Sequence, residues 1–348
     1  MGYDAPSVKL SPAERGDRGK MEASEIERTL VVGGGLMGTG LAQIMGQAGC
    51  HVWVVDVTSQ QLERSAQRLR ASLDTFVDHD LLTREQADGV LGRVAFTTSM
   101  EEAARDVQLA VEAVVEELPV KQAIFEQLGR LAPREAILAT NTSGLSVGDI
   151  AARCAHPERV VGSHFFYPHT VVPLVEVGYG RETGDAAIET AVAFWKRCGK
   201  EPVICRKDSR GFIVNRMQSA IAREATSLVS NGVASISDVD KALRLGIGVR
   251  LALTGTLEQR DWGGIDVHFE AAKSIYPTLE TTITPLPFVA DRVARGHIGA
   301  KAGKGFYDWT GKDVEGLRRK KQEQLIALLA AIKQIVPDEE ELIENNDY

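Results

Sequence analysis

Residues 29–56 read TLVVGGGLMGTGLAQIMGQAGCHVWVVD, and this stretch decides the fold. TLVVG is a short, largely β-branched run ending in glycine. GLAQIMGQAG follows with helical spacing, and HVWVVD is a second apolar run. Strand, glycine turn, helix and strand in that order make a βαβ unit. Gly33, Gly35 and Gly38 fall in G-x-G-x-x-G register. The first allows a tight turn, the second lets a pyrophosphate approach the backbone, and the third lets helix and strand pack closely. The helix start offers free N–H groups to phosphates. A lone motif of this kind is weak. Here a strand precedes it, a helix follows it, and Asp56 closes the next strand. That carboxylate can accept a hydrogen bond from a ribose 2′-hydroxyl and repels a 2′-phosphate. NAD is therefore the expected cofactor, with Leu36 and Met37 beside it along with the glycines.

Outward from this unit, further strands are expected at Val94–Thr97, Leu109–Val115, Ala136–Thr140, Val160–His164, Pro173–Val177 and Val203–Cys205. Helical patterns lie between most of them, notably Gln60–Val77, Val120–Leu131 and Ala186–Cys198. Alternating βα units predict an α/β domain with a parallel sheet covered by helices on both faces, of Rossmann type. After about Ser209 few strand signals remain. Gly211–Asn231 and Ile236–Leu245 read as helices of a separate, all-helical domain. The expected division is a polar extension at 1–28, a dinucleotide-binding domain at 29–207, a helical domain at 208–312, and a C-terminal helix with an acidic tail at 313–348. The helix pattern at Val314–Val336 carries LIALLAAI, and its all-round apolarity predicts burial against the body or another subunit. Its basic cluster Arg318–Lys321 reads as a solvated face.

The chemistry is sought in GSHFFYPHTVVPLVEV, residues 162–177. It places a lone histidine, His164, before an aromatic pair. Twelve residues later a lone carboxylate, Glu176, sits within P-L-V-E-V. An ionised glutamate amid Val and Leu is costly to bury unless paired. A carboxylate on one ring nitrogen fixes the histidine tautomer and makes the other nitrogen a better base. The pair points to proton transfer. His169 follows a proline in the same loop and is a lesser candidate for lining the site. Trp53 and Trp195 sit inside elements and read as core.

Composition narrows the function. The chain has 348 residues, 44% hydrophobic and 25% charged, with net charge −8 and no long basic run. That is an ordinary globular composition, and it argues against nucleic acid or an anionic membrane as the main partner. No apolar run reaches transmembrane length, and the polar N-terminal segment lacks the apolar region of a signal peptide. Cys50, Cys154, Cys198 and Cys205 show no C-x-x-C spacing and read as reduced thiols of a cytoplasmic protein. No cluster has metal-ligand spacing.

Seven segments now combine: VVGGGLMGTGLAQ, VEAVVEELPVK, ATNTSGLS, GSHFFYPHTVVPLVEV, DSRGFIVNRM, GTLEQRDWGGID and GAKAGKGFYDW. Over roughly residues 29–310, and in this order, they resemble the 3-hydroxyacyl-CoA dehydrogenase family. The resemblance implies NAD-dependent oxidation of a (S)-3-hydroxyacyl-CoA to the 3-oxoacyl-CoA, reversibly, and a homodimer formed through the helical domain. It implies that His164 is the catalytic base with Glu176 as its partner. Ser143 would contact the reacting end of the substrate, and Asn215 would hold the thioester side. Glu116, Lys121, Asn141 and Lys301 would contact cofactor, and Ser72 would contact CoA. The sequence departs from the family at Tyr167, where the family has Asn near the nicotinamide. It also has His79 where some members have a CoA-contacting lysine. These departures keep open a non-CoA secondary alcohol, such as L-gulonate or carnitine, or a carrier-protein-bound acyl group. A crystallin-like structural protein that binds dinucleotide is the remaining alternative, against which the intact His164–Glu176 pair argues.

Overall fold

A computed structural model describes residues 22–335 of the chain. The expected leader up to residue 21 and the acidic tail from residue 338 lie outside the described residues. The chain divides into two compact units with the break between Ile213 and Val214.

The first unit holds eight strands: β1 (Arg28–Val32), β2 (His51–Val55), β3 (Val94–Thr97), β4 (Leu109–Glu112), β5 (Ile137–Thr140), β6 (Val160–Phe165), β7 (Leu174–Tyr179) and β8 (Glu201–Cys205). Its helices are α1 (Leu36–Gln47), α2 (Ser59–Asp78), α3 (Arg84–Arg93), α4 (Met100–Ala104), α5 (Leu118–Leu131), α6 (Val147–Ala151) and α7 (Asp185–Arg197). The strands form one sheet in the order β3-β2-β1-β4-β5-β6-β7-β8. Side chains alternate across the sheet, so neighbouring strand residues feed two separate cores. Val31, Val111, Ala139 and Val161 pack with α1, α2, α3 and α7 on one face. Leu30, Val32, Ala110 and Leu138 pack with α4, α5 and α6 on the other. Trp195 is fully buried, whereas Trp53 is only half-buried.

The expected parallel sheet is observed, with one antiparallel pair. β7 runs antiparallel to β6, and β8 follows β7 in parallel. Residues 166–173 alone connect β6 to β7, too few for the crossover that parallel neighbours require. The register sets His164 directly opposite Glu176. The twelve-residue spacing is thus a strand, a loop and a returning strand, and cross-strand partners share a sheet face.

Both ends of the first unit extend beyond the residues expected from sequence. Ile26 is buried in the core, and Arg197 donates to the Ala23 and Ile26 carbonyls. Residues 208–213 belong to this unit too, because Asp208 accepts from the Ser146 hydroxyl and from the N–H groups of Val147 and Gly148 at the start of α6.

The second unit is helical: α8 (Val214–Ser230), α9 (Ile236–Ala242), a π-turn at Leu243–Gly248, α10 (Val249–Leu251), α11 (Thr256–Gly263), α12 (Ile265–Ile275), α13 (Pro287–Ala294) and α14 (Val314–Ile335). Burial of α14 against the body is not observed: among its described residues none is buried, and Leu328 is 53% exposed.

Candidate active site

The C-terminal ends of β1, β4, β5 and β6 gather the candidate residues along one edge of the sheet, where open α/β folds bind ligands. β1 leads into the glycine turn. Gly33 has φ +106°, a left-handed conformation that disfavours side chains. A Cβ at Gly38 would overlap the Gly33 carbonyl, so helix and turn pack closely only because Gly38 lacks one. At Gly35 an added Cβ would meet nothing within 4 Å. The open side of the turn is therefore at the second glycine, beside the N–H groups of Leu36, Met37 and Gly38 that open α1. Asp56 accepts the Gly34 N–H through Oδ2 at 2.7 Å and the Val57 N–H through Oδ1 at 2.7 Å. Each oxygen keeps a second lone pair for a ribose hydroxyl. These features fit a dinucleotide.

Next to it, β4 and β5 carry a polar network only partly visible in the sequence. Lys121 on α5 is fully buried, and its Nζ lies 2.7 Å from Glu112 Oε1 at the end of β4 and 3.3 Å from Glu116 Oε2. Glu112 also accepts from Val114 N–H and from the Thr140 hydroxyl. Glu116 accepts from the Thr142 hydroxyl and from the N–H groups of Ser143 and Gly144. Burial opposes ionisation of Glu116. The Thr142 hydrogen bond, the Lys121 charge and the two N–H donors outweigh it and hold the carboxyl below its ordinary range. Lys121 and Glu116 hold the loop that presents Ser143, which is itself exposed. Asn141 Oδ1 accepts the Phe165 N–H at 3.1 Å, joining that loop to the end of β6.

At the end of β6, His164 Nδ1 lies 2.7 Å from Glu176 Oε2. The carboxylate is the acceptor, so Nδ1 carries the proton and Nε2 the lone pair. Both side chains are buried, 4% and 0% exposed. Glu176 Oε1 accepts the Ile213 N–H at 2.8 Å. The imidazole is flanked by Phe166 edge-on, with ring centroids 4.5 Å apart, and by Phe212 stacked at 5.4 Å. A ring so held can pass a proton through Nε2 without turning.

The remaining expected residues lie on other elements of the chain. Ser72, on α2, donates to Gln43 Oε1 at 2.6 Å and is half-buried. Tyr167 is 61% exposed. Asn215 is the second residue of α8 and Lys301 lies in a 3-10 turn at Ala300–Ala302; both belong to the second unit. Glu112 escaped notice in the sequence, although a carboxylate in L-A-V-E-A-V-V carries the same signal as Glu176 in P-L-V-E-V.

A dinucleotide-binding edge beside a histidine held by a buried carboxylate defines the class: an NAD-dependent oxidoreductase. Comparison with known proteins is specific. The NAD binding domain of 3-hydroxyacyl-CoA dehydrogenase matches residues 28–209, and the C-terminal domain of 3-hydroxyacyl-CoA dehydrogenase matches residues 211–309. The chain belongs to the 3-hydroxyacyl-CoA dehydrogenase family. It is 35% identical over 287 residues to a 3-hydroxybutyryl-CoA dehydrogenase of Mycobacterium tuberculosis, covering 82% of this chain and 99% of that one. The crystal structure of a (S)-3-hydroxybutyryl-CoA dehydrogenase from Ralstonia eutropha is similar with TM-score 0.70 and 30% identity, covering 82% and 99% of the two chains. That of 5-formyl-3-hydroxy-2-methylpyridine 4-carboxylic acid 5-dehydrogenase, an NAD+-dependent dismutase, is similar with TM-score 0.82 and 27% identity, covering 88% and 99%.

Proposed function

We propose that this protein interconverts a (S)-3-hydroxyacyl-CoA and its 3-oxoacyl-CoA, with His164 as general base in oxidation and general acid in reduction. The observation that carries the reading is the 2.7 Å contact between His164 Nδ1 and Glu176 Oε2, which leaves Nε2 to take the proton of the substrate hydroxyl. NAD, when bound, accepts or returns the hydride. The chain's own part is to hold and move the proton. Glu176 fixes the tautomer and stabilises the imidazolium, and the Ile213 N–H keeps that carboxylate in place. Ser143, presented by the Glu116-held loop, orients the reacting oxygen, and Asn215 orients the thioester side. Gly33, Gly35, Leu36, Met37, Gly38, Asp56, Glu116, Lys121 and Asn141, with Lys301, receive the dinucleotide. Ser72 meets the carrier. A purely structural role would leave the buried His164–Glu176 pair without a use.

A second reading replaces acyl-CoA with a smaller, non-CoA alcohol or carbonyl. It is favoured by the exposed Tyr167 in place of the family's Asn, by Ser72 being engaged with Gln43, and by the TM-score of 0.82 to a dehydrogenase named for a pyridine carboxylate. NADH oxidation against 3-oxoacyl-CoAs of increasing chain length, with non-CoA carbonyls alongside, separates the two. Acyl-CoA turnover at least tenfold more efficient than any non-CoA compound supports the first reading, and the reverse ranking supports the second.

We further propose a cytoplasmic homodimer formed through the second unit. Leu257 and Trp262 on α11 are each 82% exposed in the single chain, and Val267 and Phe269 on α12 are exposed as well. Large apolar surface of this kind marks an interface. Cys50, Cys154 and Cys198 stand as free thiols, the state a reducing compartment maintains. Sedimentation of the full chain at the mass of a monomer at micromolar concentration would contradict the dimer.

A further inference from the structure

Loops lie on the surface and seldom bury an ionisable side chain. The segment between β6 and β7 does. His169 is 3% exposed. Its Nε2 is 2.9 Å from the carbonyl oxygen of Met37, the second residue of α1. That oxygen can only accept, so Nε2 carries a proton. Among the described residues Nδ1 has no partner, which leaves the Met37 contact as the ring's one hydrogen bond there. The ring is pressed flush to α1: a Cβ added at Gly40 would overlap it. Only glycine at this position admits a side chain from another element so close to the helix backbone.

The same loop is tied at its other side. Lys200, 5% exposed and the last residue before β8, donates through Nζ to the carbonyl of His169 at 2.6 Å and of Val172 at 3.0 Å. Val171 and Val172 N–H groups close a turn on the Pro168 carbonyl. A leucine or phenylalanine would fill the space under α1 without the desolvation cost of an imidazole. The polar contact, rather than the volume, is what the histidine adds.

We propose that His169 is a positioning residue for the redox reaction, fastening the loop that runs on from His164 to the first turn of α1, so that the base and the dinucleotide-binding helix end hold one geometry. Two physical effects follow. The Met37 carbonyl shares its peptide unit with the Gly38 N–H, one of the unpaired donors at the helix start. A hydrogen bond accepted at one end of a peptide strengthens donation at the other. The loop also leaves β6 immediately after the residues that flank the base, so loosening it costs orientation at His164. Burial first, and the Lys200 charge after it, outweigh the Met37 hydrogen bond and lower the His169 pKa to about 4, which keeps the ring neutral in the working range.

The inference rests on dinucleotide binding and not on the choice of alcohol, so it is read first by NADH binding without substrate. Replacing His169 by Phe keeps the ring volume and removes the donor; replacing it by Gln restores a donor. His169→Phe is expected to raise the NADH dissociation constant roughly 2- to 10-fold, the value of one net hydrogen bond. It should lower kcat by a similar factor in NADH oxidation with whichever substrate is turned over, while His169→Gln stays within about twofold of wild type on both. Wild-type NADH affinity in His169→Phe would make the residue a mere filler and overturns the proposal, as does equal impairment of the Phe and Gln variants, which would show that the donor is not what matters. Should His169→Phe fail to fold, Lys200→Met releases the loop from its other side. The same joint change in NADH affinity and kcat is then expected, and unchanged NADH affinity in that variant overturns the proposal equally.

Discussion

His164 and Glu176 face each other directly across the antiparallel pair β6–β7, and the imidazole Nδ1 meets the carboxylate Oε2 at 2.7 Å. The register of two strands, rather than a flexible loop, sets this distance. The carboxylate is further held by the Ile213 N–H. The pair is therefore assembled by the fold before any substrate arrives, which is the condition for a base that needs no reorganisation.

Glu176→Gln keeps the shape and removes the charge. The amide can present its N–H₂ to the ring and favour the wrong tautomer. A fall in kcat of roughly 10²-fold or more is expected, with NADH affinity within a few-fold of wild type. Steady-state kinetics alongside a fluorescence titration of NADH distinguish loss of proton transfer from loss of binding; unchanged kcat would show that the carboxylate has no part in the chemistry.

Asp56 holds the glycine turn through Gly34 and is expected to set cofactor choice. Asn at this position can still accept the Gly34 N–H but no longer repels a 2′-phosphate. The wild-type enzyme is expected to prefer NADH over NADPH, and Asp56→Asn to reduce that preference roughly 10- to 100-fold, the range of a charged hydrogen bond. The ratio of kcat/KM for the two cofactors gives the answer, and an unaltered ratio would place the discrimination elsewhere.

Lys121 and Glu112 form an ion pair that is fully buried on both sides. Lys121→Met leaves Glu112 buried with only Thr140 and Val114 as partners. A cost of about 3–5 kcal/mol is expected, visible as a drop of about 10 °C in the unfolding midpoint. Thermal unfolding followed by circular dichroism tests it. A variant as stable as wild type but weak in NADH binding would leave Lys121 with the role of cofactor contact alone.

His169 gives a pH dependence of stability with a definite sign. Burial lowers its pKa to about 4 in the folded chain, from 6.5 when unfolded. Between those values the unfolded state binds a proton that the folded state refuses, so stability rises with pH across this window and falls on acidification. The contribution is on the order of 3 kcal/mol. Unfolding midpoints measured from pH 4 to pH 7 should fall more steeply toward acid in wild type than in His169→Phe, and parallel curves would remove His169 as the cause.

Much of this was legible in residues 29–56, because a glycine register, a helix start and a terminal aspartate are local features with local causes. The pairing of His164 with Glu176 was legible as chemistry, since a carboxylate in an apolar run demands a partner. Its geometry was not. Strand direction depends on how few residues separate β6 from β7, and the alternating pattern alone does not mark that return. Glu112 went unseen because Lys121 beside it already had a role through the resemblance. His169 read as a loop residue, and only the close approach to Gly40 shows that it belongs to α1. The apolar pattern of α14 marks a helix, which the structure shows at Val314–Ile335, whereas periodicity fixes the helix and not its contacts.

The most direct test of the central claim is turnover by His164→Gln compared with wild type under saturating NADH, using the best substrate from the panel of 3-oxoacyl-CoAs and non-CoA carbonyls. The His164–Glu176 account predicts a fall in kcat of roughly 10²- to 10⁴-fold with NADH binding intact. A variant that retains near-wild-type turnover would contradict it.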